Sequence, residues 1–595
     1  MGLFGNKNPQ LFKPGTLYIM HFIKSFFLLL TISISAQTSN KYRTFFEKGN
    51  GNQSATYQET ISFYQTLDKD FQSIKMEKMG LTDSGEPLNL VIFNPGKQFN
   101  FKTIPKTKSI ILINNAIHAG EPDGIDATMM LFRDLALSKI KIPKNTIIVA
   151  IPVYNIEGAL NRNSTTRTNQ NGPEEYGFRG NGRNYDLNRD MIKSDTKNTK
   201  SLIEIFHKIN PDIFIDNHVS NGADYQYTLT YIQTEPTKLG KDLGDFMKDK
   251  MTPAIVANLK SNSIESTPYV NVWEGTPDKG FAQFNDSPRY TTGYTSLFNT
   301  IGYVVETHMW KEYKKRVSAM YQFMQSTINY VDVNSAEIKN IRKRNEVQFK
   351  PKDNYPIQWV LDSSKLKKIT FLGYEGSIIK SKVTTGNRLF YDRTKPFTKE
   401  IDFYPAYKSS LDIVIPKAYI IPKSWWTIID LLKNNKCNHA VLKNDTIIDL
   451  ESYKIANYKT ATSAYEGHYN HRNTSVTKST EKKAFAKGDY IFLTSQPSIK
   501  YMLETLEPQG IDSFFNWNFF DTILQQKEGY SDYIFEDLAA KILIENPNLK
   551  KQFEEKLASD TAFAKNPEEQ LDWVHKHSIY YEKEHLQYPV YRIMN

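Results

Sequence analysis

The chain has 595 residues, 39% of them hydrophobic, enough to bury a sizeable core and long enough for more than one domain. Its 75 basic and 65 acidic residues leave a formal charge of +10 that is scattered rather than gathered into a stripe, which argues against a nucleic-acid binder. The single cysteine, Cys437, excludes an intrachain disulfide framework and any cysteine-based metal site.

In chain order, the first informative stretch begins at Met20. A basic Lys24, an apolar run from Phe26 to about Ile34, and small residues at Ser35 and Ala36 have the layout of a secretory signal peptide, with residues 1–19 as an upstream extension. The run is too short for a permanent membrane span, and no later stretch is long and apolar enough for one. The expectation is a mature protein that is exported, periplasmic or extracellular, without a transmembrane segment. "MGLFGN" lacks the Ser or Thr that a myristoylation signal carries at its sixth position.

Residues 37–345 alternate short β-branched runs with helical patterns. "SIILINN" (109–115), "NTIIVAIPVYN" (145–155), "PDIFIDNH" (211–218) and "IGYVVETH" (301–308) are almost continuously apolar, as strands buried on both faces are. After the first run, Ile125, Met129, Phe132 and Leu135 recur on one helical face, so "HAGE" (118–121) sits at a strand-to-helix crossover of an α/β sheet. Gly120 and Gly124 are read as allowing a tight bend there. The densest basic run, "KNIRKRNE" (339–346), is read as a solvated helix end, and "NEVQFKPK" (345–352) as a linker.

Residues 346–595 have a different character. "KKITFLGYEGSII", "NRLFYDR", "EIDFYPAY" and "LDIVIPKAYIIP" read as separate strands broken by Gly, Pro and Asp. A helix is expected in "SWWTIIDLLKNN" with Ser424 as its cap, one of Trp425 and Trp426 packing inward. Another is expected in "NPEEQLDWVHKH" with Asn566 as cap and Pro567 in the first turn. "HYNHR", with His468 and His471, is expected to be a surface loop.

Four groups of residues carry chemistry. His118 and Glu121 stand three apart at one strand end, and His218 ends another strand-like run; two His and one Glu are a known ligand set for catalytic zinc. Glu306 ends a buried strand, where a carboxylate is costly without a task, and a general base beside an activated water needs that placement. The long polar stretch "RTNQNGPEEYGFRGNGRNYDLNRD" (167–190) ends in Asp186-Leu-Asn188-Arg189. Its arginine can hold a carboxylate by two parallel hydrogen bonds, with Asn188 adding a third. His308, two after Glu306, is read as a packing or supporting residue.

This order of HxxE, DxNR, strand-end His and strand-end Glu resembles the zinc carboxypeptidases of the carboxypeptidase A type, over about residues 45–335. The resemblance implies a mixed sheet flanked by helices, with residues 346–595 as an accessory α+β region. It implies one zinc ion on His118, Glu121 and His218, and Glu306 as general base on a zinc-bound water. It further implies Asn188 and Arg189 on the substrate's terminal carboxylate, and Asp186 orienting a zinc histidine. Arg167 matches the arginine that polarises the scissile carbonyl, with Arg162 and Arg179 as rivals. "NIEG" (155–158) stands where the family often shows "NPDG". Tyr290 and Tyr294 are candidates for the tyrosine that covers bound substrate. The implied activity is removal of C-terminal amino acids from peptides with a free carboxylate. A zinc amidase acting on cell-wall peptides or acylated amino acids, and a non-catalytic peptide-binding module, are the alternatives.

Overall fold

The computed structural model describes residues 1, 2, 5 and 41–595; the signal layout at 20–36 lies outside these residues. Strands β1 (Ile74–Leu81), β2 (Pro87–Phe93), β3 (Ser109–Asn115), β4 (Thr146–Ile151), β5 (Ile213–Ser220), β6 (Leu229–Gln233), β7 (Ser266–Pro268) and β9 (Ile301–His308) form one eight-stranded sheet. Their order is β1-β2-β4-β3-β5-β9-β6-β7. The central strands β4, β3, β5 and β9 run parallel, while β1, β2 and β6 pair antiparallel, so the sheet is mixed.

Side chains alternate across the pleat, and both faces are buried. Ile111, Ile113, Ile213, Ile215, Tyr303 and Val305 face a layer made by α1 (Tyr57–Asp70), α2 (Asp123–Ala136) and the 33-residue α4 (Tyr313–Asn345). The expected apolar face of α2, Ile125, Met129, Phe132 and Leu135, is fully inside this layer. Burial of each such side chain contributes about 1.5–3 kcal/mol.

Ile110, Leu112, Ile147, Val149 and Phe214 face the other way, onto α3 (Lys197–Ile209). This second core does not stop at the first part of the chain. Tyr355, Ile428, Tyr501 and Trp517 from the C-terminal region belong to the same apolar cluster.

That region contains β10 (Asn354–Leu361) paired with β13 (Tyr407–Val414), and the hairpin of β11 (Lys367–Lys380) and β12 (Asn387–Tyr404). The end of β12 pairs with β8 (Phe281–Ala282) of the first region. A six-stranded sheet follows in the order β15-β18-β14-β19-β16-β17, made of β14 (Ala418–Ile421), β15 (Ala440–Val441), β16 (Thr446–Thr460), β17 (His471–Phe485), β18 (Tyr490–Leu493) and β19 (Tyr591–Ile593). Its helices are α5 (Trp426–Asn434), α6 (Ile499–Leu506), α7 (Asp532–Glu545), α8 (Pro547–Ser559) and α9 (Pro567–Lys576).

Several expectations change. "NRLFYDR" and "EIDFYPAY" are one 18-residue strand, β12, not two. Pro396 sits within it because the β11–β12 register shifts between Tyr374 and Glu375, next to the Tyr374–Pro396 pair, where a ladder tolerates a residue without an N–H. Ser424 does not cap α5, whose first turn begins after Trp425 and has no side-chain cap. Trp425 packs on Phe520 while Trp426 stays exposed. Asn566 does cap α9, accepting from the Glu569 N–H at 3.2 Å.

The basic run at the end of α4 is not simply solvated. Arg342 is buried, pairs with Asp212 at 3.0 Å and donates to the Asn210 and Asn299 carbonyls, so it ties α4 to the start of β5.

Among the described residues no helix is long and apolar enough to cross a membrane. What matters for function is the strand order. From β3 the chain passes through α2 to β4 on one side, whereas β5 lies on the other. The carboxyl ends of β3 and β5 therefore diverge into a crevice, the usual ligand position in such sheets.

Candidate metal centre and active site

At the end of β3 the chain turns sharply through Ala116, a non-glycine residue at φ 56°. His118 and Glu121 follow, the Glu121 N–H closing a turn on the His118 carbonyl at 3.0 Å immediately before α2. Gly120 and Gly124 serve this bend by size rather than by a left-handed backbone. A Cβ on Gly120 would lie 2.8 Å from Arg167 Cδ, and one on Gly124 2.5 Å from Asn217 Cβ, so both positions need the missing side chain for close packing. Arg316, fully buried on α4, fastens the start of α2 by donating to Asp123 Oδ1 at 2.8 Å and to the Gly172 carbonyl at 2.8 Å.

The crevice gathers His118, Glu121 and His218, all buried, with one ligand atom from each lying within 4.8 Å of the others. Glu121 sits between the rings: its Oε1 is 3.3 Å from His118 Nδ1 and its Oε2 3.2 Å from His218 Nδ1. The outer nitrogens face other carboxylates. His118 Nε2 is 3.0 Å from Asp186 Oδ1, and His218 Nε2 is 3.0 Å from Asp216 Oδ2. Two Nδ1 atoms and a carboxylate converge inward, while Asp186 is hydrogen-bonded to the far nitrogen of one ring and Asp216 lies in ionic contact with that of the other; this is the donor set of a histidine-carboxylate metal site.

Charge reinforces this arrangement. Burial by itself would raise the Glu121 carboxyl, but the neighbouring His118 and Arg167 charges hold it well below the usual carboxylate range. Asp186 behaves in the same way, burial being overcome by His118 and Arg179. Burial lowers the basicity of His218, yet Asp216 and Glu121 lift it well above an ordinary histidine.

Asp216 was not singled out in the sequence, although it stands two before His218 on the same strand and so on the same face. It accepts from Asn114 Nδ2 at 2.9 Å and Thr291 Oγ1 at 2.6 Å, which fixes its carboxylate beneath the ring.

Glu306 is the cross-strand partner of His218 in the β5–β9 ladder. Its Oε2 is shielded from solvent and has no hydrogen-bond partner among the described residues. Burial pushes this carboxyl up to about 7, His218 pulling against that and Glu121 adding to it. His308 packs on Tyr225 and places Nε2 3.0 Å from the Ala223 carbonyl; burial pulls its pKa down to about 4, so it stays neutral, and it is not among the three converging groups.

Of the three arginines, Arg167 donates from Nη1 to Glu121 Oε1 at 2.8 Å and from Nη2 to the Val219 carbonyl at 3.0 Å. Arg179 lies beside the same cluster, 3.3 Å from His118 Nδ1 and 2.8 Å from Asp186 Oδ2. Arg162 points elsewhere, to Glu175 and Ser54, and is no rival. Asn188 Oδ1 accepts from the Thr291 N–H at 3.3 Å, while its Nδ2 has no protein acceptor among the described residues. Arg189 lies over the Tyr290 ring at 4.5 Å. Tyr294 is wholly buried, donating to Asn435 Oδ1 at 2.7 Å, and cannot cover a substrate.

"HYNHR" is not a free surface loop. His468 Nε2 meets Asp195 Oδ2 at 2.8 Å, and the turn before it touches the Asp186–Arg189 segment through Tyr465 and Glu466. No pattern in the sequence marks those two residues.

Comparison with known proteins gives the kinship. No family model matches the chain. It is 21% identical over 422 residues to carboxypeptidase 2 of Trichophyton rubrum, covering 68% of this chain and 72% of that protein. Carboxypeptidase 2 of Trichophyton tonsurans is also 21% identical, over 447 residues, 70% of this chain and 77% of its own. The chain is thus similar over about two thirds of its length to proteins named as carboxypeptidases. That kinship makes it a hydrolase of the peptidase class. Solved structures similar to it include a metallo-carboxypeptidase from Burkholderia cenocepacia, 14% identical with a TM-score of 0.36 over 47% of this chain and 70% of that one. Carboxypeptidase A from Helicoverpa armigera is 14% identical with a TM-score of 0.34, over 48% and 74%.

Proposed function

We propose that the chain is a zinc-dependent metallocarboxypeptidase that removes C-terminal amino acids from peptides. The observation that carries this reading is the convergence of His118 Nδ1, His218 Nδ1 and the Glu121 carboxylate beside an unpartnered Glu306, in a chain related to carboxypeptidases. Bound there, a zinc ion would supply Lewis-acid activation of water and of the scissile carbonyl.

The chain's own groups do the rest. The Glu306 carboxylate, one of whose oxygens lacks any competing donor among the described residues, takes a proton from the attacking water and passes it to the leaving amine. Arg167, already anchored on Glu121 and Val219, turns its remaining N–H groups toward the carbonyl oxygen, with Arg179 as the alternative donor. Arg189 and the free Nδ2 of Asn188 grip the terminal carboxylate, and their fixed distance from the ligand cluster selects the last peptide bond. Asp186 and Asp216 hold the rings so that each Nδ1 faces inward.

The test is metal analysis of the purified protein joined to digestion of peptide pairs that differ only in a free or amidated C-terminus. Zinc near one per chain and release from the free acids alone are expected. Asp216→Asn should weaken metal binding or activity by about 10–100-fold while the fold stays intact, read by metal titration and thermal unfolding. Arg189→Ala should raise KM for free-acid peptides and leave the residual turnover of amidated ones unchanged; equal loss on both would make Arg189 structural.

Residues 37–345 carry this site, and residues 346–595 form the accessory region that packs against it. Export rests on the signal layout at 20–36. The curated relatives are carboxypeptidases by name, which favours peptide hydrolysis over the cell-wall amidase alternative, for which no observation speaks.

A further inference from the structure

The loop 461–470 joins β16 to β17 in the C-terminal region, and its tip docks on the motif that carries Asn188 and Arg189. The Tyr465 hydroxyl accepts from Arg189 Nε at 2.9 Å. Next to it, Glu466 Oε2 accepts from the backbone N–H of Asp186 at 2.8 Å, across 280 residues of sequence.

This tip is held firmly. Gly467 adopts φ +81°, where a Cβ would lie 2.7 Å from the Tyr185 hydroxyl, so the close approach needs glycine twice over. The Tyr465 ring stacks on the buried Trp517 with an interplanar angle of 23°. Arg289, paired with the buried Asp512 at 2.6 Å, lies over both rings.

The consequence falls on Arg189. A guanidinium has five N–H donors and can meet a carboxylate side-on, through Nε and one Nη, or end-on, through both Nη atoms. Here Nε is engaged by Tyr465, one Nη1 hydrogen goes to the Asn188 carbonyl at 2.9 Å, and Tyr290 covers one face. Nη2 has no protein acceptor among the described residues. The side-on edge is therefore closed and the end-on edge remains.

We infer that Tyr465, supplied by the C-terminal region, is a positioning residue that fixes Arg189 for end-on recognition of the substrate's terminal carboxylate. Selection of a free C-terminus is then a joint property of the two regions, not of the catalytic half alone. This rests on the assignment of Arg189 as the carboxylate grip.

The test uses the full-length protein with a peptide pair, free acid and amide, measured both by calorimetric binding and by steady-state kinetics. The wild type should prefer the free acid. Tyr465→Phe keeps the ring and its stacking but loses the acceptor; it should lose about tenfold of that preference and raise KM for the free acid by the same factor, with kcat and amide binding unchanged. Gly467→Ala, which lifts the tip by steric conflict, should move the same ratio in the same direction. Thermal unfolding of both variants checks that the fold survives. Full retention of the free-acid preference in Tyr465→Phe overturns the inference while leaving the Arg189 assignment standing. A wild type that binds acid and amide alike overturns that assignment, and this inference with it.

Discussion

The Glu306→Gln variant is expected to keep its metal and lose hydrolysis by roughly 10²–10⁴-fold, the usual contribution of a positioned general base. The substitution is nearly isosteric and removes the ability of the side chain to accept a proton. The side chain shares no ligand atom with the His118, Glu121 and His218 group, so metal content should stay at the wild-type level by elemental analysis. Near wild-type turnover would remove Glu306 from the mechanism. Burial raises this carboxyl to about 7, and the positive charge of a bound cation would pull it lower. A protonated base cannot act, so kcat/KM should fall as pH drops, along an acid limb centred at or below about 7 that is missing from the residual activity of Glu306→Gln. A limb centred clearly above that value contradicts the assignment.

The second large effect is expected from Glu121→Gln. This carboxylate is buried between two imidazoles, accepts from Arg167 at 2.8 Å and from the Val219 N–H at 2.9 Å, and is held ionised by His118 and Arg167. Replacing it with an amide keeps the volume but removes the only negative charge among the three converging groups, and turns part of an acceptor into a donor aimed at the ring nitrogens. Metal affinity should fall by at least about 100-fold, beyond what loss of an outer carboxylate causes. Dialysis against graded chelator reads the affinity, and partial recovery of hydrolysis at high zinc separates lost binding from lost folding. Unchanged metal retention would mean that Glu121 is an anchor for Arg167 and not a ligand.

Much of the fold was legible because the central strands announce themselves. β3 and β9 run over the same residues as their apolar stretches, Ser109–Asn115 and Ile301–His308, since burial on both faces demands an unbroken hydrophobic run. The face of α2 was legible for the matching reason at helical spacing. The C-terminal region was less so. Pro396 reads as a strand breaker, yet the neighbouring register shift lets β12 pass through it. Arg342 reads as solvated charge, yet Asp212 and backbone carbonyls enclose it. In each case a distant partner reversed a local preference.

The site divides along the same line. Composition and order along the chain determined the chemistry available: a histidine and a glutamate in "HAGE", a strand-end histidine, a strand-end glutamate and an arginine-asparagine pair, each legible because its residue type and local period are properties of a few consecutive positions. Only the tertiary structure decided which of them meet. The β3–β5 switch brings His118 and Glu121 to His218, and the β5–β9 register places Glu306 opposite His218. Arg162 is carried away, and Tyr465 and Glu466 arrive from 276 and 280 residues downstream of their partners. Such contacts depend on how strands are ordered and how a shared core closes over both regions, and those are long-range packing energies that no local pattern encodes.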